Sequence, residues 1–236
     1  MTPDAETVNN ATNQTCAPPA DTTTPVGPDT SGDIVEQVHG VLTEAAHHDP
    51  IAAWLVPDPM ARYGIVARCH AFTVRYLIHY GDLRAVVDPD GVVVGVLAGA
   101  HPTTCDKDLA ATEYTPGLLT AAVPYHHRYA TLRRATSAAL PRRAHYHLWY
   151  IAAHPDRRGD GIGGDMLTEL HRRLDALGQP AYIEVATTAL RTTLTKRGYQ
   201  HETTIHLPDS GPTLYGMWRD PLPFETAIDR GDPLRY

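Results

Sequence analysis

Long apolar runs, lysine and regularly spaced cysteines are scarce in this chain of 236 residues. No apolar stretch approaches the roughly 20 residues that cross a bilayer, so we expect no membrane span. The three cysteines, Cys16, Cys69 and Cys105, stand at irregular spacing, which gives neither a disulfide framework nor a zinc motif. Lysine occurs only at Lys107 and Lys196, and the net charge is −7. That balance argues against a general nucleic-acid binder, which would carry a basic stripe.

The rest of the composition is that of an ordinary globular domain. Hydrophobic residues make up 42% of the chain, enough for one core at this length. Residues 1–32 are rich in Thr, Pro, Asp and Asn, so we predict a disordered N-terminal tail. A folded domain is expected over 33–219 and a polar C-terminal tail over 220–236. The sequence opens without an export signal, which predicts a cytoplasmic protein, monomeric or homodimeric.

Hydrophobic periodicity predicts helices and strands in alternation. Apolar residues at helical spacing indicate helices over 34–48 and 60–79, and two apolar runs around Asp88–Gly91 indicate a β-hairpin. Residues 102–143 show a loosely helical pattern. Further along, the pattern indicates a strand over 146–153, a glycine loop followed by a helix up to 177, a strand over 181–186, a short helix over 190–196, and closing strands over 203–207 and 212–218. This order predicts a mixed α/β (α+β) fold.

The most informative segment is the loop 158–164, which reads Arg-Gly-Asp-Gly-Ile-Gly-Gly. Successive N–H groups at the start of a helix, with the positive end of its dipole, bind anions. Glycines let the backbone approach an oxygen-rich group closely. A Rossmann nucleotide site would use similar glycines, but this loop lies two-thirds along the chain and follows no repeated βαβ series. We therefore predict an anion-binding loop.

The loop and its flanks resemble the GNAT acyltransferase superfamily. Residues 158–163 fit the family's Arg/Gln-x-x-Gly-x-Gly/Ala signature, and 151–155 resemble the strand that enters it. Glu184 and the later Gly198–Tyr199 resemble the next strand and the end of its short helix. The order of segments is similar to the puromycin N-acetyltransferase-like small-molecule branch. The resemblance, specific over 144–199, implies a single GNAT-like domain with a mostly antiparallel central sheet and helices on both faces.

The resemblance also implies a donor site. The co-substrate would be acetyl-CoA or another acyl thioester, with no metal. The backbone of Ile151 and Ala153 would hold the pantetheine arm. The amides that would hold the pyrophosphate belong to Arg158, Gly159, Asp160, Gly161, Ile162, Gly163 and Gly164. Asp160 stands where relatives often carry Lys or Arg, so its carboxylate is expected to repel the phosphates and reduce CoA affinity.

Two histidines and a glutamate are the candidate bases. His145 and His147 stand two residues apart in a predicted strand and therefore share a face. Histidine is suited to removing a proton from an amine because its pKa is near neutrality. The pair resembles the histidine pair of serotonin N-acetyltransferase, although packed or surface histidines would give the same pattern. Glu184 interrupts an apolar strand, so it needs either a polar site or an exposed face.

The residue at the position of the family's general acid differs from the one that most relatives have. In many relatives a tyrosine protonates the leaving thiolate, and the corresponding residue here is Leu194, which cannot donate a proton. Tyr150 is the expected substitute. Without it the thiolate would leave unassisted, which its low pKa permits.

Three hypotheses about function follow. The first is an N-acyltransferase that moves an acetyl group from CoA to the amine of a small molecule, such as an antibiotic or another secondary metabolite. The second is a biosynthetic acyltransferase whose donor is an acyl carrier protein or an aminoacyl-tRNA. Asp160 and Leu194 favour it, while the charge of −7 weighs against tRNA. The third is an inactive GNAT-fold ligand-binding protein.

The sequence gives only a broad set of candidates for the residues that bind the acceptor. In the GNAT family the first two helices and the segment 102–143 shape it. The aromatic and histidine residues that would line it, or else serve as ordinary packing, are Tyr76, Tyr80, Tyr114, Tyr125, His126 and His127.

Overall fold

One seven-stranded sheet organises the part of the chain that the computed structural model describes, residues 21–47, 49–101 and 114–223. Its strands are β1 (Thr22–Pro25), β2 (Asp82–Val87), β3 (Val93–Ala100), β4 (Tyr146–Ala153), β5 (Ala181–Val185), β6 (Gln200–His206) and β7 (Thr213–Arg219). Their order across the sheet is β1-β2-β3-β4-β5-β7-β6. The pair β4–β5 is parallel and the other neighbours are antiparallel. The predicted mostly antiparallel fold class is confirmed.

Helices cover both faces of this sheet. They are α1 (Gly32–Ala46), α2 (Pro50–Leu55), α3 (Pro59–Tyr80), α4 (Thr115–Ala121), α5 (His126–Ala139), α6 (Ile162–Ala176) and α7 (Thr188–Thr195). Local sequence explains their starts. Asp49 accepts a hydrogen bond from Ile51 N–H at 2.7 Å, and Asp58 accepts one from Met60 N–H at 3.0 Å. A proline follows each aspartate, so α2 and α3 begin with a capping side chain and a residue preset for helix.

Apolar stripes of the helices bury both faces. On one face α6 presents Met166, Leu167, Leu170 and Leu174, each almost fully buried, to side chains of β4 and β5. On the other face α1 and α3 pack on β2 and β3. A third cluster joins α2, α3, α4 and α5 to β6 and β7. Within the described residues, no helix is long and apolar enough to cross a bilayer.

The predicted disordered tail over 1–32 is wrong in its second half, because part of that segment forms a strand of the sheet. Residues Thr22–Pro25 pair antiparallel with β2, and Val26 N–H donates to Leu83 O at 2.8 Å. An edge strand needs few apolar side chains, and threonine favours strands, so composition alone misses this element. Helix α1 also begins at Gly32, at the predicted boundary. Residues 1–20 and 224–236 of the two predicted tails lie outside the described residues.

The parallel strands β4 and β5 separate soon after they meet. Their register contains Tyr146↔Ala181 and His147↔Tyr182, although β4 continues to Ala153 and β5 to Val185. Beyond these pairs the two strands do not share a ladder. The sheet therefore contains a wedge-shaped opening between β4 and β5, and this opening positions the candidate site.

Candidate active site

The wedge exposes backbone groups of β4. His154 N–H donates to Val94 O of β3 at 2.9 Å. In an antiparallel ladder, residues that bond the neighbour alternate with residues that point away from it. Ile151 and Ala153 are therefore the residues whose N–H and C=O groups point away from β3, into the wedge. These are the two positions that the sequence motif predicts.

A β-bulge changes which side chains face the site. The register of β3 with β4 jumps from Ala98↔Tyr150 to Gly99↔Leu148, so Trp149 is the extra residue of the bulge. Because a bulge interrupts the alternation of a strand, Trp149 and Tyr150 both line the same cleft. The sequence pattern of β4 gives no indication of this.

The glycine loop leads into the first turn of α6. Gly159 and Gly161 adopt φ of +96° and +88°, a left-handed conformation that favours glycine. The first backbone bond of the helix runs from Asp165 N–H to Gly161 O at 3.0 Å, so the N–H groups of the three residues from Ile162 to Gly164 have no acceptor inside the helix. A Cβ on Gly163 would meet no atom within 4 Å. This turn is an open cradle of donors.

Two of the predicted loop amides are not part of this cradle. Arg158 N–H donates to Pro155 O at 3.3 Å and Asp160 N–H to Arg157 O at 3.4 Å. These bonds close the turn before the helix and direct both amides inward. Of the seven predicted amides, those of Ile162, Gly163 and Gly164 form the open first turn of α6.

The Asp160 carboxylate is paired with Arg157. Its Oδ2 lies 2.6 Å from Arg157 Nε, and the same guanidinium lies 3.4 Å from Asp21 Oδ2 and 3.8 Å from Asp88 Oδ2. These carboxylates raise the pKa of Arg157, the Asp160 hydrogen bond most of all. The charge of Asp160 is thus partly compensated by an arginine that it shares with Asp21 and Asp88, which reduces the predicted repulsion of phosphates.

A cleft of about 330 Å³ lies beside the wedge. Strands β4 and β5 form one wall, α3 and α5 form the other, and the loop before α7 contributes Thr187. Three of the four predicted catalytic residues line this cleft, namely His147, Tyr150 and Glu184.

His147 and Glu184 form a hydrogen-bonded pair in the cleft. His147 Nε2 lies 2.8 Å from Glu184 Oε2, and the side chains are 24% and 11% exposed. A carboxylate at this distance favours the tautomer in which Nε2 carries the proton, which leaves the Nδ1 lone pair as the basic site. Glu184 Oε1 and the Tyr182 hydroxyl are buried and complete no hydrogen bond among the described residues. Burial, together with the neighbouring carboxylate, raises the pKa of Tyr182.

His145, the fourth predicted catalytic residue, lies behind the cleft. It shares a face with His147, as predicted, and the ring centroids are 6.0 Å apart. However, the rings of Tyr182 and Trp218 each lie 5.5 Å from its ring and cover it. Its Nδ1 lies 2.7 Å from Arg143 O, and burial lowers its pKa. Of the described residues, the cleft wall includes His147 but not His145.

Neither candidate for the general acid is strong. Leu194 is fully buried in the core beneath α6, while Leu190 lines the cleft. Tyr150 lines the cleft as predicted, but burial raises the pKa of its hydroxyl well above the usual range. A phenol with a raised pKa is a good hydrogen-bond donor and a poor source of a proton for a thiolate, whose pKa is lower.

The acceptor end of the cleft contains residues that sequence reasoning missed. Of the six aromatic and histidine residues predicted there, Tyr114 is in the described wall, whereas Tyr76 packs in the core. The side chains missed include His70 and Arg133. His70 is buried, and desolvation lowers its pKa to about 4. Arg133 lies in a run with several other arginines, and nothing in the sequence distinguished it from Arg134.

No protein-family model and no curated protein matches this sequence. Among solved structures, an acetyltransferase from Corynebacterium glutamicum, described as a histone acetyltransferase and related acetyltransferase, aligns with a TM-score of 0.63 and 20% identity over 86% of this chain and 97% of that one. The GCN5-related N-acetyltransferase from Rhodopseudomonas palustris aligns with a TM-score of 0.51 and 11% identity over 87% of this chain and 98% of that one. Arylalkylamine N-acetyltransferase 2 from Aedes aegypti aligns with a TM-score of 0.56 and 9% identity over 85% of this chain and 98% of that one.

These alignments define the class of fold to which the chain belongs. Each covers nearly the whole of the other protein. This chain has the GNAT fold. At these identities the likeness establishes the fold, and the puromycin-like branch remains a prediction.

Proposed function

We propose that the protein is an N-acyltransferase that moves an acetyl group from acetyl-CoA to an amine of a small molecule. The observation that carries the proposal is the continuity of the site. The backbone groups of Ile151 and Ala153 lead from the open first turn of α6 towards the His147–Glu184 pair. A long, thin donor with phosphates at one end and a reactive acyl group at the other matches this arrangement.

The described residues fit coenzyme A. The N–H groups at the start of α6 would bind its phosphates, assisted by the helix dipole. The N–H and C=O groups of Ile151 and Ala153 would pair with the amides of its pantetheine arm as a neighbouring strand would. When bound, the co-substrate supplies an acyl group on a thiol that leaves readily.

His147 and Glu184 would prepare the acceptor. An ammonium cannot attack a carbonyl, so the group must lose a proton first, and His147 Nδ1 is the base that its tautomer leaves available. Glu184 holds the imidazole through the 2.8 Å bond and balances the charge that it gains. The N–C bond of the amide then forms and the C–S bond breaks. The nitrogen loses its second proton to solvent, the thiolate takes one proton from solvent, and His147 returns its proton to solvent. Tyr150 donates a hydrogen bond in the cleft without releasing its proton.

The acceptor is proposed to be a small molecule because the cleft measures about 330 Å³, the lower end of the range for small-ligand sites. The arylalkylamine enzyme of Aedes aegypti acts on amines by name, which supports an amine acceptor here. An amine-bearing antibiotic or another secondary metabolite is an acceptor of this kind.

A carrier-protein or aminoacyl-tRNA donor is less favoured than CoA. Asp160, which would disfavour CoA, lies 2.6 Å from Arg157 and is partly compensated by it. The remaining argument is Leu194. An inactive ligand-binding protein is less favoured as well, because a ligand sensor has no need of a buried His–Glu pair.

Mass spectrometry of reactions that contain acetyl-CoA and a library of amines tests the proposal. We expect an acceptor whose mass increases by one acetyl group, with release of free CoA. H147A is the matched control, since it removes the base and leaves the donor site intact. If acetyl-CoA neither binds nor is consumed, acyl groups loaded on a carrier protein should be tested next. Absence of turnover with every donor would favour the inactive protein.

A further inference from the structure

Arg133 is a charged side chain of the cleft wall that has no ion pair with a carboxylate of the described residues. It projects from α5 beside Tyr114 and Thr136. Its guanidinium carbon lies 5.3 Å from the centre of the Tyr114 ring. Its Nε is buried and has no hydrogen-bond acceptor within the described part of the chain. A buried N–H group without an acceptor is unfavourable, and a ligand anion that reached this half-buried guanidinium would remove that cost.

The same cleft contains a group of opposite charge. Glu184 Oε1 is buried without a hydrogen bond among the described residues, while Oε2 is bonded to His147. The other carboxylate in the wall, Asp49, already accepts a hydrogen bond from Ile51 N–H at 2.7 Å. Among the described residues, the cleft therefore presents to a single ligand a guanidinium from α5 and, from β5, a carboxylate held between His147 and the Tyr182 hydroxyl.

We propose that the acceptor carries a carboxylate as well as its amine, as an amino acid or the amino-acid end of a small molecule does. Arg133 would bind the carboxylate and the His147–Glu184 pair would receive the amine. The inference rests on the proposed function and names the substrate class of that same site.

A carboxylate suits this site better than a phosphate. The planar guanidinium matches the two oxygens of a carboxylate. A phosphate would bring a second negative charge into a cleft that already contains Asp49 and Glu184. The volume of about 330 Å³ must also hold the acyl end of the donor, which leaves space for an acceptor of about amino-acid size.

Calorimetric titration of the protein with the twenty standard L-amino acids and their primary amides tests this inference. The amide keeps the amine and the side chain and removes only the negative charge. We expect at least one amino acid to bind about 10- to 100-fold more tightly than its amide, the effect of one charged hydrogen-bonded pair. R133Q should remove that difference by weakening the acid alone, and R133K should retain part of it. R134Q, the same change at the exposed neighbouring arginine, should behave as wild type.

Several results would overturn the inference. These are equal affinity for acid and amide throughout, no binding of any amino acid, or an equal loss for both ligands in R133Q. Tighter binding of phosphoethanolamine than of any amino acid would assign the subsite to phosphate instead. Because titration needs no turnover, amino-acid binding without acyl transfer would contradict only the proposed function. Acyl transfer with equal preference for amines that lack a carboxylate would contradict only the substrate class.

Discussion

His147 Nε2 and Glu184 Oε2 are 2.8 Å apart, and the two residues belong to parallel strands that diverge after two register pairs. The pair thus lies where the sheet opens. The hydrogen bond holds the imidazole at the closed end of the wedge, with the donor loop at the open end. The predictions below test each part of this arrangement.

His147, in β4, and His145, directly before it, should differ in role. H147A should lower kcat by about 100-fold or more, the usual contribution of a general base, with little change in the free energy of unfolding. H145A should instead cost about 1–3 kcal/mol of stability, since it removes a buried hydrogen-bonded ring, and should change kcat much less. Steady-state kinetics and urea unfolding of both variants separate the roles. A larger loss of kcat in H145A would show that the base is assigned to the wrong residue.

Gly163→Asp should change stability and donor binding in opposite directions. The added Cβ meets no atom within 4 Å, and a carboxylate in the first turn of α6 interacts favourably with the helix dipole, by about 0.3–1 kcal/mol. The same charge would repel the phosphates of CoA. We expect equal or higher thermal stability together with a KM for acetyl-CoA at least about tenfold higher, corresponding to 1.4 kcal/mol. Gly163→Asn is the neutral control, and an unchanged KM in Gly163→Asp would place the phosphates elsewhere.

Arg157 should determine whether Asp160 affects the donor. D160N alone should change the KM for acetyl-CoA by less than about threefold, because its charge is already paired with Arg157. R157Q should raise the KM, more so at low ionic strength, since it leaves the carboxylate uncompensated beside the phosphates. The double variant should recover most of the loss. If the effects of the two single substitutions on the KM add up in the double variant, Arg157 and Asp160 do not act together on the donor.

His171 should make the protein less stable in mild acid. Burial lowers its pKa to about 3, while the unfolded chain has a value of about 6.5. Below pH 6.5 the unfolded state therefore binds a proton that the folded state does not, so stability falls as the pH falls towards 3. Between pH 7 and pH 5 the protonation of this group in the unfolded state should lower the free energy of unfolding by about 2 kcal/mol. Denaturant unfolding across this range should show a shallower dependence in H171Q, and H201Q, at an exposed histidine, is the control.

Much of the fold was predictable because its determinants are local. Apolar stripes at helical spacing and a turn rich in Asp and Gly each act within a few residues. β1 was missed since an edge strand is stabilised by main-chain bonds to β2, for which Thr22–Pro25 leave no apolar pattern. The short helix α2 was missed for a related reason, as it spans Pro50–Leu55, fewer than two turns.

The candidate site was predictable in its main chain and less so in its side chains. The glycine loop, Ile151 and Ala153 follow from a local motif, whereas Asp160 could not be judged without Arg157, whose partners include the distant Asp21. His145 and His147 follow the same alternation, but a ring that covers His145 belongs to Trp218, more than seventy positions later. Such contacts depend on the tertiary fold.

The opening between β4 and β5 has a consequence for how this protein can evolve. The groups that face it belong to the peptide backbone, which every residue other than proline supplies in full. Substitutions along these strands therefore leave its hydrogen-bonding capacity unchanged as long as the strands keep their path. Proteins with 9–20% identity to this chain share its fold, and the side chains at the closed end of the opening can change without altering these backbone groups.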